Sequence, residues 1–241
     1  MIIATWLMAW ELTARSDMLP TALIGQPSVF LLKFFLHLTD GTFLSATAIT
    51  FYAVFAAFFL GSTLALSTAL LLTVYPILEK LLSPIIEILN ALPRVALIPL
   101  FILWLGLGIA QKVASGVSIM FFVLLSYTLA GAKSANPDQL LLAKSLGMSR
   151  STIFWQIIIP SATPAIFAGL RLGMIYTVLG VITAELIAGG RGMGTLVSYY
   201  SNTFDPNGVF ASLLMLVLLT SILGMIMSKV EKRVLRWQER E

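Results

Sequence analysis

An all-α membrane protein that crosses the bilayer several times is what this sequence predicts, on two observations. Charged residues make up 11% of the 241 positions, less than half the roughly 25% usual in a soluble domain. Apolar runs broken by few or no charges cover 41–78, 95–111, 113–132, 151–184 (with Arg171 inside it) and 206–228. These approach or exceed the ~20 residues that a helix needs to cross ~30 Å of hydrocarbon. No run alternates polar and apolar residues with the two-residue period of a barrel strand. The expected architecture is a bundle of five spanning helices, with a sixth at the N-terminus.

In chain order, residues 1–42 form an N-terminal segment: an apolar start with Trp6 and Trp10, ended by Glu11, then an outer loop that holds the lone histidine, His37. One helix over 41–78 would rise about 57 Å, so a span is placed at 43–66. Residues 67–80 are then a short helix or loop, broken near Tyr75-Pro76. The next span covers 85–107 and carries Pro93 and Pro99, which mark kinks whose freed carbonyls neighbouring helices satisfy. Spans at 112–132, 163–188 and 207–228 complete a core of 43–228, and 229–241 is a basic tail.

Several function classes are excluded. With no cysteine there is no disulfide, thiolate metal site or cysteine nucleophile, and one histidine makes no zinc site. The net charge of +4 suits a protein facing anionic lipid and does not point to nucleic acid. A membrane enzyme lacks the paired nucleophile and base sets it would need. A self-contained secondary transporter would show inverted repeats and midplane ion sites, and neither stands out. GGRGMG (189–194) is no phosphate loop, because no lysine-serine pair follows. Its glycines suit close packing or a turn, and Met174 and Met193 are read as packing residues.

Lysines and arginines orient the chain. One side holds Lys80, Lys133, Lys144, Arg150, Lys229, Lys232, Arg233, Arg236 and Arg240, and the other Arg15, Lys33, Lys112 and Arg191. The positive-inside rule makes the first side cytoplasmic. On it lies 136–160, too polar for lipid and too apolar for an idle loop. Asn136-Pro137-Asp138-Gln139 starts a helix with a cap, a proline at the first position and an acid in the first turn. Gly147 stops it. Ser149 caps a second short helix over 151–159 that is expected to end at Pro160. A ten-residue helix with so many leucines is unstable alone. It either lies on lipid headgroups or packs into a partner.

The spacing of Ala143, Gly147, Ile157 and Pro160 resembles the EAA loop of bacterial ABC-importer permeases. LPRVALIPLFILWLGLG (92–108), PSATPAIFAGLRLGMIYTVLGVITAEL (160–186) and GRGMGTLV (190–197) resemble segments of the nitrate/sulfonate/taurine branch of that family. The likeness runs from about residue 5 to 230. It implies a type I importer permease bundle of five to six transmembrane helices with a cytoplasmic coupling helix, and Leu141, Leu142, Ala143, Gly147, Ile157 and Pro160 as the ATPase-coupling residues. Leu141 stands where the family has glutamate, Leu142 where it has alanine and Ile159 where it has leucine, so docking would be mainly hydrophobic. The implied partners are a cytoplasmic ATPase dimer that binds ATP and magnesium, a second copy of this chain, a soluble extracytoplasmic solute-binding protein and membrane lipid. The implied location is the bacterial cytoplasmic (inner) membrane, with coupling loop and C-terminus in the cytoplasm.

Charges inside the bilayer are costly and belong in the bundle interior or on a water path. Glu185 and Arg94 are therefore assigned to the translocation path. The competing readings are a glutamate that latches or packs the outer end, and an arginine anchored at the interface. Glu87, seven residues before Arg94, is expected on the same helix face, and Arg171 is expected to snorkel to the cytoplasmic interface.

Overall fold

The computed structural model describes residues 2–16 and 24–235, and every regular element in them is helical. Helix α1 (Ile2–Arg15) continues past Glu11. Helix α2 (Pro27–Thr39) occupies what was expected to be loop, with proline in its first turn. Its Phe30 meets Trp10 and Phe210 in an aromatic cluster with centroids 4.9–5.8 Å apart, pinning the N-terminal helices to the bundle. Neither has the length of a span, so the expected sixth crossing is absent among the described residues.

Helix α3 (Thr42–Val74) is one 33-residue rod, longer than the expected 43–66. Nothing in 67–74 stops a helix, and the break falls at Tyr75-Pro76, where proline removes a donor. Its buried stripe is Ala46, Thr50, Ala53, Ala57, Gly61, Ala65 and Ala69. Small residues every three to four positions let backbones approach, which is how helices associate where lipid removes the hydrophobic drive.

The span expected at 85–107 with kinks starts earlier and is broken more sharply. Helix α4 (Pro76–Ala91), then a tight turn (Arg94–Leu97) and helix α5 (Ile98–Leu105) form a pair bent by 84°. The bend sits at Leu92-Pro93, both extended, because a residue before proline is driven out of the helical region. That break also removes the premise that Glu87 and Arg94 share one helix face. Helix α4 buries no residue within the chain.

Helix α6 (Ile109–Lys133) is the centre of the bundle, packed on α3 and on the long rod Arg150–Ala188. Gly116 and Gly180 let α6 and the rod cross closely: a Cβ on Gly180 would lie 3.0 Å from the Gly116 Cα. After helix α7 (Pro137–Ser145), helix α8 (Arg150–Ile153), a wide five-residue turn (Phe154–Ile158) and helix α9 (Ile159–Ala188) form the rod. The expected stop at Pro160 does not occur. The wide turn just before it spares the ring the usual clash with the carbonyl four residues back.

Helix α10 (Met193–Asn202) lies between the spans expected at 163–188 and 207–228, and helix α11 (Pro206–Val234) closes the bundle. Among the described residues four helices are long and apolar enough to cross a membrane, five counting the bent pair. Lys133 pairs with Glu79 at 2.5 Å and Arg171 with Glu231 at 3.1 Å. Arg171 thus has an acid partner where a free snorkel was expected. Arg236, Arg240 and the tail beyond 235 lie outside the described residues, as do 17–23 of the N-terminal segment.

Candidate functional site

Two centres stand at opposite ends of the bundle. The first is built from α7, the turn at Gly147 and the start of the rod Arg150–Ala188. Asn136 Oδ1 accepts from the Asp138 N–H at 2.8 Å and Ser149 Oγ from the Thr152 N–H at 3.1 Å, so both expected caps form. Gly147 has φ +75°, its N–H donates to the Lys144 carbonyl, and the Met148 N–H reaches the Ala143 carbonyl. That is the double-bonded left-handed stop that glycine takes without strain.

The nine-residue α7 turns Ala143 inward, 3% exposed, and leaves Leu141, Leu142 and Leu146 at 66%, 60% and 72%. Leu142 and Ala143 share a groove of about 580 Å³ with Leu146, Ile157 and Pro160. Four of the six expected coupling residues therefore line one groove. Leu141 stands outside it, and Gly147 sets the turn between its walls.

The second centre is a buried polar cluster at the other end. The Lys112 ammonium donates to Glu185 Oε1 at 3.0 Å, with side chains 3% and 0% exposed. Thr50 Oγ1 lies 3.0 and 2.9 Å from the two carboxylate oxygens and shares its one proton with them. The Gly194 N–H donates to Oε2 and the Met193 N–H to Thr50 Oγ1, each at 2.9 Å. Lys112 also donates to the Arg191 carbonyl. Helices α3, α6, α9 and α10 thus meet on one carboxylate.

Burying two ions is costly unless hydrogen bonds replace the lost water; here the carboxylate meets Lys112, Thr50 and the Gly194 N–H, and the ammonium donates to two oxygens. Gly192 (φ +137°) is pressed so closely that a Cβ would lie 2.0 Å from Glu185 Oε1, which accounts for glycine at that position. Met174 and Met193 are buried, as packing residues should be.

Lys112 and Thr50 are what the sequence reading missed. Lys112 was counted with the exposed outer charges. The signal was a lysine at the head of one apolar run and a glutamate at the end of an antiparallel one, both at the same end of the bundle.

Arg94 lies elsewhere, at the break between α4 and α5. Its Nη2 donates to Asn90 Oδ1 at 2.8 Å and to the Asn90 and Leu89 carbonyls at 2.9 and 3.3 Å. Its Cζ stands 4.4 Å from the centre of the Phe122 ring.

A polytopic helical bundle with a capped, leucine-bearing helix outside it belongs among membrane transporters. More particularly, residues 57–236 match the family of binding-protein-dependent transport system inner membrane components, and the chain belongs to that family: it is the permease subunit of an ABC importer. The taurine transport system permease protein TauC of Escherichia coli is 26% identical over 98% of this chain and 87% of its own length. The formylaminopyrimidine transport permease protein ThiX of Halalkalibacterium halodurans is 28% identical over 98% of this chain and 93% of its own. Among solved structures, a chain of the inward-facing MetNI methionine ABC transporter superposes with a TM-score of 0.71, at 16% identity, over 81% of this chain and 97% of its own. That likeness is one of fold.

Proposed function

We propose that the chain forms, with a second copy of itself, the path of an importer in the bacterial inner membrane, its α7 end and C-terminus facing the cytoplasm. A cytoplasmic ATPase dimer binds ATP and magnesium and grips α7. Leu141 and Leu142 make the contact. Ala143, Ile157 and Pro160 seat α7 on the rod Arg150–Ala188, and Gly147 sets the turn. Closure of the ATPase pair then moves α7, and the continuous rod carries the displacement into the bundle. A soluble binding protein delivers the solute to the opposite end. There Glu185 holds the outer end of the path shut or open as a unit, through α3, α6 and α10.

The observation that carries this reading is α7 itself. A short helix, capped at both ends and presenting three exposed leucines, needs a partner to be stable. We take the solute to be a small anion such as taurine, a sulfonate or nitrate. A pyrimidine is the second reading, favoured by the ThiX likeness.

Copurification from the native membrane tests the assembly. The expected result is an ATPase that crosslinks to a cysteine placed at Leu142. A cysteine there that crosslinks only to lipid, with no nucleotide-hydrolysing partner recovered, overturns it.

A further inference from the structure

Counted along the helices, Arg94 lies level with the middle of α6, by two measures. The Phe122 ring it covers lies in the middle of Ile109–Lys133, about 20 Å from one helix end and 17 Å from the other at ~1.5 Å per residue. Along its own segment, Arg94–Leu105 climbs about 20 Å to the Gly106–Gly108 link at the head of α6. The interfacial anchor expected from the sequence does not fit that depth.

Three other cations of the long helices are paired: Lys112 with Glu185, Lys133 with Glu79, Arg171 with Glu231. Arg94 makes no ion pair among the described residues. Its Nη2 caps the last carbonyls of α4, where a helix end carries partial negative charge. Nε and Nη1 make no hydrogen bond to the described residues. A guanidinium so placed against lipid would cost about 2.5–3.5 kcal/mol even on the mildest scales, so it faces water or a ligand. A break in a spanning helix is also where transporters place their solute contacts.

We infer that Arg94 is the residue that recognises the negative charge of the solute in the path. With Nη2 engaged, the Nε–H and Nη1 N–H groups, which lie on different edges of the guanidinium, remain to donate singly to a sulfonate, carboxylate or comparable oxyanion, and Phe122 packs against the group. This rests on the import reading above and names the group in this chain that makes an anion the preferred cargo.

The test uses the whole importer, with its ATPase and binding protein, in proteoliposomes supplied with labelled taurine, ethanesulfonate, nitrate or a neutral pyrimidine. R94Q is expected to lose about tenfold to a hundredfold in kcat/KM for an anion, the value of one charge-assisted hydrogen bond or two. R94K should recover part of it, and basal ATP hydrolysis and any pyrimidine flux should stay unchanged. Anion transport by R94Q at the wild-type kcat/KM overturns the inference and leaves the importer reading intact. Equal loss for anion and pyrimidine, unrescued by R94K, also overturns it and reduces Arg94 to a helix cap. Wild-type complex that moves none of the anions sinks both this inference and the anion reading, a result visible before any variant is made. Should R94Q fail to assemble, F122L is expected to raise the anion KM several-fold, and an unchanged KM overturns the inference.

Discussion

Lys112 and Glu185 lie 73 positions apart in sequence and 3.0 Å apart in space, both sealed from solvent. They join the head of α6 to the foot of α9, and the carboxylate's other partners, Thr50 and the Gly194 N–H, bring in α3 and α10. One carboxylate is therefore touched from three other helices at once.

Removing either partner leaves an unpaired buried charge, worth about 3–5 kcal/mol. K112M and E185L should each lower the thermal unfolding temperature of the detergent-solubilised protein. The K112M/E185L double variant should recover most of the loss, since an apolar pair of similar volume leaves no stranded ion. Additive losses in the double variant would mean that the two residues act separately.

Gly192 tests the same cluster sterically. Its φ of +137° and the 2.0 Å approach of a Cβ to Glu185 Oε1 predict that G192A destabilises by more than ~2 kcal/mol. G224A is the control. That glycine has nothing within 4 Å of a Cβ in the interior of α11, so alanine should be neutral or stabilise by up to about 1 kcal/mol. Equal melting temperatures for the two variants would contradict the packing described.

At the other end, the L141D/L142D double variant should insert and melt as wild type does, because both side chains are more than half exposed. Its affinity for the ATPase should fall at least about tenfold, given ~1.5–3 kcal/mol for each leucine buried. G147V, which forces a β-branched residue to φ +75°, should stimulate ATP hydrolysis poorly while leaving the complex able to form. Uptake and ATPase rates in proteoliposomes read both.

Asp205 caps α11 through the Gly208 N–H at 3.1 Å and pairs with Lys33 of α2. Partial burial works to raise its pKa, but Lys33 and the N–H groups of Gly208 and Asn207 outweigh it, so the carboxyl sits below its usual range. With the folded value depressed, the stabilisation is complete above the ordinary aspartate pKa of about 4. It is lost as pH falls through the lower folded value. The melting-temperature gap between wild type and D205N should therefore be full at neutral pH and close on acidification below about pH 4. A gap that stayed constant with pH would show that Asp205 acts only as a neutral cap.

Much of α7 was legible from residues 136–149 because capping is local. An asparagine, a proline and a glycine each act within a few residues of themselves. Pro160 misled for the same reason: its usual effect is also local, and the wide turn before it was invisible in composition. Helices α2 and α10 were read as loops because each is short, and their apolar faces count only once α11 is there to receive them.

By itself the sequence determined the class, the order of the long apolar helices, and the capped short helix between two of them. Hydropathy and length answer directly to the thickness of the bilayer. Only the tertiary structure decided which charges meet. Lys112 finds Glu185 while Arg94 makes no ion pair among the described residues, because the partner of a buried ion is set by how the helices cross.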